Sequence, residues 1–254
     1  MLTPRSKDNP FEFNRWAFSW EHVPAQAAVL DFGCNDGTTL SALRCKQPRL
    51  LVGVEVSREA VGKAHQANPD LDVRHIQQTI PLELPDQQFD CILLLDVLEH
   101  VYEQRELLCE LRRLLVDGGQ LIVTVPGQHL FSFMDVGNLK FRFPRLHRWF
   151  YVLRHGKAAY DSRYLANADG LIGDISAQKR WHEHFTRRRL SEILRACGFE
   201  PQVFDGTGFL ERPLWALTLM LRWWPWVRRQ CRRLQQFDAR HFETANLFCL
   251  AKKA

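Results

Sequence analysis

Two carboxylates and a glycine-bearing turn are the residues of this chain whose types and spacing first suggest ligand chemistry. Residues 31–37 read Asp-Phe-Gly-Cys-Asn-Asp-Gly, and Glu55 follows 24 positions after Asp31. Gly33 and Gly37 let the backbone turn sharply and approach a ligand closely. Asn35 is the residue other than glycine that best tolerates a left-handed conformation. A dinucleotide-binding loop would carry glycine where Asp31 stands. A carboxylate there repels a pyrophosphate and suits a ligand that carries an ammonium group, while Glu55 is placed to accept both hydroxyls of a ribose. Together the two loops favour a nucleoside with a cationic tail over a dinucleotide.

Loops of this kind need strands to hold them. Apolar runs lie at residues 28–32, 49–56, 91–95 and 121–125, without polar alternation, and read as strands covered on both faces of a parallel sheet. Between them, Ser57 can cap a helix that runs to about Ala67, with Glu59 early in its first turn. Leu107, Leu108, Leu111, Leu114 and Leu115 fall on one stripe of another helix, which Gly118-Gly119 is expected to close. Strand and helix in alternation imply right-handed crossovers and a doubly wound α/β sheet. Its ligands sit beyond the carboxyl ends of the strands, where Asp31 and Glu55 are.

Composition agrees with an ordinary globular protein. The 254 residues are 46% hydrophobic and 25% charged, which excludes collagen-like, low-complexity and wholly disordered chains. No apolar run reaches the ~20 residues of a membrane-spanning helix. The amino terminus shows no secretory signal, and seven cysteines without a CxxC pair fit reduced thiols in a cytoplasmic protein. The charge is asymmetric. Residues 1–127 carry 12 basic and 18 acidic side chains, and residues 128–254 carry 22 and 11. The second half is therefore suited to something anionic, unless its charge is only a solvated face.

The chain resembles the class I S-adenosylmethionine-dependent methyltransferases, closest to the group that includes the quinone-biosynthesis, type 11 and type 23 enzymes. Four stretches carry the likeness: residues 29–37 (Val-Leu-Asp-Phe-Gly-Cys-Asn-Asp-Gly), 52–56 (Val-Gly-Val-Glu-Val), 89–101 (Phe-Asp-Cys-Ile-Leu-Leu-Leu-Asp-Val-Leu-Glu-His-Val) and 114–126 (Leu-Leu-Val-Asp-Gly-Gly-Gln-Leu-Ile-Val-Thr-Val-Pro). The resemblance implies a mostly parallel seven-stranded Rossmann-like sheet, with S-adenosyl-L-methionine as cofactor. In it, Asp31, Gly33, Cys34, Asn35 and Gly37 would form the loop under the methionine part, with Asp31 near its ammonium. Glu55 and Val56 would take the ribose, and Thr79 the adenine. The acidic residue that usually faces the adenine amine aligns with Gln78, which can accept the same bond without charge. Asp96 would lie beside the sulfonium and the methionine backbone. In some relatives a segment like Asp96-Val-Leu-Glu99-His100 binds a divalent metal, and two carboxylates with an imidazole suit a hard cation. The competing readings are a loop-shaping role without metal, and His100 as a base for the acceptor.

The remaining residues concern the acceptor. Residues 1–26 form an aromatic-rich segment (Phe11, Phe13, Trp16, Phe18, Trp20) that would cover the sheet edge or close as a lid over a methyltransferase domain at 27–254. An insertion at about 128–180 interleaves basic and aromatic residues, as a pocket for a phosphorylated or nucleotide-linked group would. It matches no RNA-binding module. His182 and His184, just before a helix capped by Thr186 and stopped by Gly198, would line the acceptor pocket or pack at the helix entrance. A helical insertion at about 211–241 holds Trp215, Trp223, Trp224 and Trp226, followed by Arg228, Arg229, Arg232 and Arg233. It reads as subdomain packing, a peripheral membrane contact or a homodimer contact. Residues 245–251 read as the last strand. The function expected is methyl transfer to a small-molecule or glycan-precursor acceptor at oxygen. The alternatives are a quinone or lipid methyltransferase at a membrane surface, and a noncatalytic nucleotide- or RNA-binding module on the same fold.

Overall fold

The apolar runs become strands: β1 (Ala28–Phe32), β2 (Leu50–Glu55), a short β3 (Asp72–His75), β4 (Phe89–Leu95) and β5 (Leu115–Pro126). The computed structural model describes residues 10–77, 80–134, 142–164, 183–221, 223–242 and 245–254. With β6 (Phe199–Gly206) and β7 (Asn246–Lys253), the strands form one seven-stranded sheet in the order β3-β2-β1-β4-β5-β7-β6. The first five are parallel, and β7 runs antiparallel to both neighbours. The order reverses between β1 and β4, so a crevice opens at the carboxyl ends of those two strands.

Helices cover both faces, as the unbroken apolar runs require. All five residues of β1 are buried. Leu30, Ile92, Leu94 and Val123 face one side, where they join Leu107, Leu108, Leu111 and Leu114 of α4 (Gln104–Leu114) and Leu190 and Leu194 of α7 (Arg187–Ala196). Val29, Cys91, Leu93, Ile122 and Phe248 face the other, where Phe18 of α1 (Pro10–His22) packs. Each such side chain, fully buried, contributes on the order of 1.5–3 kcal/mol. The remaining helices on the first half of the sheet are α2 (Thr38–Leu43) and α3 (Arg58–Ala67). Ser57 caps α3 by accepting from the Ala60 N–H, and Thr186 caps α7 through the Arg189 N–H at 3.1 Å. Gly198 follows α7 with φ +76°, as a left-handed stop should.

One expectation about glycine fails. Gly118-Gly119 does not close α4, which ends at Leu114 with Leu115 already extended. The pair instead sits where the β4–β5 register jumps from Phe89–Leu115 to Cys91–Gln120, and Gly118 takes φ +71° in that bulge. The helix needs no glycine because the chain turns straight into the sheet.

The second half adds α5 (Pro144–His155) and α6 (Lys157–Tyr164) after β5, then α8 (Glu211–Met220) and α9 (Pro225–His241) between β6 and β7. The side chains of Phe11 and Phe13 lie outside the described residues, as do residues 135–141 and 165–182, which include His182. Among the described residues no helix is long and apolar enough to cross a membrane.

Tight packing under the β1 loop gives a stability test. A Cβ on Gly53 of β2 would lie 2.5 Å from Leu40 Cδ1 and 2.6 Å from Cys34 Sγ. Gly53→Ala is expected to destabilise the chain by about 1–3 kcal/mol, read as a lower urea midpoint at unchanged slope.

Candidate functional site

The carboxyl ends of β1, β2 and β4 carry Asp31, the 33–37 turn, Glu55, Val56 and Asp96 to one rim of the sheet. After β1 the backbone turns through three left-handed positions, Gly33 (φ +78°), Asn35 (φ +49°) and Gly37 (φ +73°), before α2 begins. Gly33 is required twice over. Its positive φ disfavours side chains, and a Cβ there would meet Val97 Cγ2 at 2.6 Å. Asn35 takes the left-handed conformation, as its short polar side chain allows.

Glu55 joins this turn to the next strand. Its Oε2 accepts the Asn35 N–H at 2.9 Å, and its Oε1 accepts those of Val56 and Ser57 at 2.8 and 2.9 Å. The residue expected to take ribose hydroxyls is thus first a brace for both loops. A carboxylate has about four acceptor positions, so three backbone bonds leave it room for a ligand hydroxyl. Cys34 is buried below, and burial, then Asp31 and Glu55, push its thiol well above the ordinary range. It is a packing residue, not a nucleophile.

Asp31 is the electrostatic centre of the rim. It is 2% exposed, and its Oδ2 is buried without a hydrogen-bond partner. Burial raises its pKa from 3.8 to about 7, with Arg15 pulling it down and Glu55 pushing it up. Asp96, after β4, has φ +54°, accepts from Thr124 Oγ1 at 2.6 Å and is ion-paired with Arg15 of α1. The guanidinium therefore reaches Asp96 while also acting on Asp31, and its own Nε is buried and unpartnered. The Trp16 Nε1 is likewise buried without a partner. Sequence reading gave no sign that Arg15 joins this rim, since only the placement of α1 brings it across 81 positions.

A cationic ligand with an amino-acid end fits this arrangement. The orphaned Asp31 oxygen suits an ammonium, and S-adenosyl-L-methionine has one. Gln78 and Thr79, expected at the adenine, lie outside the described residues. Glu99 is buried on the 3-10 turn Leu98–His100, with Oε1 3.8 Å from His100 Nε2. Among the described residues no group of three His, Cys, Asp or Glu converges to hold a metal. Asp96 is committed to Arg15 and Thr124 rather than to Glu99 and His100.

His184 lies just ahead of α7, which Thr186 caps. The His184 Nε2 lies 3.5 Å from Arg212 Nη1.

A family model described as a methyltransferase domain matches residues 15–202 of the chain. Over 111 residues the chain is 29% identical to a protein of Mycolicibacterium smegmatis named as a probable S-adenosylmethionine-dependent methyltransferase, covering 44% of this chain and 42% of that one. It is 28% identical over 109 residues to a ubiquinone biosynthesis O-methyltransferase of Coxiella burnetii, covering 42% and 46%. The chain spans less than half the length of these curated relatives. The fold is also that of the Burkholderia thailandensis 1,6-didemethyltoxoflavin-N1-methyltransferase, solved with 1,6-didemethyltoxoflavin and S-adenosylhomocysteine bound. That likeness has a TM-score of 0.54 at 15% identity, over 95% of this chain and 77% of the other.

The raised pKa of Asp31 makes stability depend on pH. The folded state holds its proton up to about pH 7, whereas the unfolded carboxyl releases it near 3.8. Stability therefore falls as pH rises through that window. Asp31→Asn is expected to be more stable than the parent at pH 8 by on the order of a few kcal/mol, with the difference gone by about pH 4. Urea unfolding at the two pH values measures it.

Proposed function

The chain belongs to the class I S-adenosylmethionine-dependent methyltransferases, in the methyltransferase-domain family matched over residues 15–202, and we propose that it transfers a methyl group to an oxygen of a small-molecule or glycan-precursor acceptor. The observation that carries the reading is the buried, unpartnered carboxylate of Asp31 beside the left-handed loop. Such a group is costly to bury and is stabilised by a ligand that brings an ammonium. On this reading Gly33, Cys34, Asn35 and Gly37 form the cofactor loop, Glu55 and Val56 hold the ribose, Gln78 and Thr79 flank the adenine, and Asp96 lies beside the methionine end.

S-adenosylmethionine, when bound, would supply a methyl already activated on a sulfonium, so the acceptor hydroxyl needs only to be aligned with it and to lose its proton. The work left to the protein is alignment and exclusion of water, and alignment alone can supply up to ~7–11 kcal/mol. On this reading Arg15 of α1 holds the methionine carboxylate and α1 serves as the lid. His100, half-buried after β4, is proposed to take the acceptor proton, a role that typically contributes ~100- to 10,000-fold.

Calorimetry with S-adenosylhomocysteine tests the cofactor site. Saturable binding is expected, weakened about tenfold or more by Glu55→Ala and by Asp31→Asn, the second despite that variant's greater stability. Binding of NAD but not S-adenosylhomocysteine would defeat the reading. Transfer of a tritiated methyl group into cell-extract fractions then identifies the acceptor, and incorporation at nitrogen or carbon alone would refute the oxygen assignment.

One observation favours an acceptor met at a membrane surface, as in the quinone or lipid reading. The helix α9 is inside out. It buries Cys231, Gln235 and Asp238 and exposes Trp226, Leu234 and Phe237. The turn before it holds Trp223 at 77% and Trp224 at 66% exposure, next to Met220 at 78%. Leu146, Trp149, Phe150 and Leu153 of α5 form a second exposed stripe at helical spacing. Arg229 and Arg233 on α9, and Arg145, Arg148 and Arg154 on α5, are exposed beside these stripes. Apolar and indole side chains next to arginines suit an anionic bilayer surface, where each basic residue contributes about 1 kcal/mol. Flotation with phosphatidylglycerol-containing vesicles is expected to carry the protein. Trp223→Ala with Trp224→Ala and Trp226→Ala should weaken it by roughly tenfold. Absence of flotation, with a dimer that the same variant dissolves, would make the patch a contact between two copies.

A further inference from the structure

Past the end of β5 the chain builds a second polar cluster from three segments far apart in sequence. His129 lies in the turn after β5, His184 just before α7, and Arg212 in the first turn of α8. The turn is well braced. His129 N–H donates to Ser132 Oγ at 2.8 Å, that hydroxyl donates to the Gly127 carbonyl, and Arg212 Nη1 donates to the Ser132 carbonyl at 3.1 Å. The same Nη1 lies 3.5 Å from His184 Nε2. The segment before α7 is held against the end of β5 by the Phe185 N–H to Pro126 carbonyl bond and the Gln128 N–H to Phe185 carbonyl bond, both 2.8 Å.

The protonation of His129 follows from its neighbours. Burial, then Arg212 and His184, lower its pKa to about 4, so the ring is neutral. Its Nδ1 accepts the Phe131 N–H at 3.3 Å, which places the ring proton on Nε2. That Nε2 is buried and has no hydrogen-bond partner. A buried donor left unmade is costly, and here it stands beside Arg212, itself only 7% exposed. Around it Phe131 and Phe209 present an apolar wall, with ring centroids 6.2 and 5.9 Å from the imidazole and 5.1 Å from each other.

The cluster shares a rim with the methyl-transfer site. Thr124 bonds to Asp96, and His129 follows five residues later on the same strand end, at most about 18 Å away along an extended chain. We propose that the His129 Nε2–H and the Arg212 guanidinium, with His184 behind them, bind the carboxylate or phosphate head of an acceptor whose apolar body lies on Phe131 and Phe209. This rests on the methyl-transfer reading for the identity of the ligand as acceptor; the anion site itself stands on the cluster alone. A neutral N–H donor beside a guanidinium favours an anion over a cationic amine.

The test titrates the protein, with S-adenosylhomocysteine bound, with phenyl phosphate, benzoate and neutral benzyl alcohol while following the His129 ring by nitrogen–proton NMR. One or both anions should shift the Nε2 resonance saturably, and benzyl alcohol should not; the stronger anion tells phosphate from carboxylate. Arg212→Gln is expected to weaken the anion roughly tenfold and His129→Phe roughly three- to tenfold, whereas Arg212→Lys keeps the charge and most of the binding. Phenylalanine preserves the packing against Phe131 and Phe209, and unchanged S-adenosylhomocysteine affinity in each variant excludes misfolding as the cause. Silence of His129 towards both anions, or equal binding by the parent and both charge- and donor-removing variants, overturns the inference. Failure of S-adenosylhomocysteine to bind while His129 still answers an anion would instead strike the methyl-transfer reading and leave the anion site in place.

Discussion

Three backbone N–H groups meet on the carboxylate of Glu55, and that convergence ties the ends of two adjacent parallel strands into one rim. The loop after β1 turns through left-handed Gly33, Asn35 and Gly37, and Asn35 presents its N–H to Glu55 only in that conformation. Val97 lies where a Gly33 side chain would go, so the loop after β4 is fitted to the loop after β1. Charge-assisted bonds of this kind are roughly twice as strong as neutral ones. They help the loop keep a defined shape at the carboxyl end of the sheet.

What this rim holds in place is an electrostatic debt. Asp31 is buried near the end of β1 with one oxygen unpartnered, and Asp96 stands after the neighbouring β4. Arg15 reaches down from α1, pairs with Asp96 and lowers the pKa of Asp31 without restoring it. A carboxyl group that holds its proton to about pH 7 is poised to exchange that proton for a ligand cation. Stability lost at Asp31 is what a group kept for binding rather than for folding would show, in keeping with the role proposed for it.

The periphery follows a different rule. On α9 the polar Gln235 and Asp238 turn inward, and Gln235 donates to the buried Glu211 of α8, while tryptophan, leucine and phenylalanine face out. Burial raises the pKa of Glu211 to about 7, and the Asp238 charge adds to it. This polar seam joins α8 and α9 and leaves the apolar side chains for an outside surface.

The residue order alone determined the parallel strands, the caps at Ser57 and Thr186, the stop at Gly198 and the loops bearing Asp31 and Glu55. Each depends on a local pattern, whether an unbroken apolar run, an oxygen ahead of a helix or a glycine in a turn. It misled at Gly118-Gly119, where a register bulge in the sheet uses the glycine that a helix end would equally well use. The tertiary structure alone decided that Arg15 meets Asp96, that Glu55 braces Asn35, and that His129, His184 and Arg212 share one cluster. These contacts link segments 20 to 81 positions apart. A side chain's partner at that range is set by where helices and strands pack, and no local pattern of residue types encodes it.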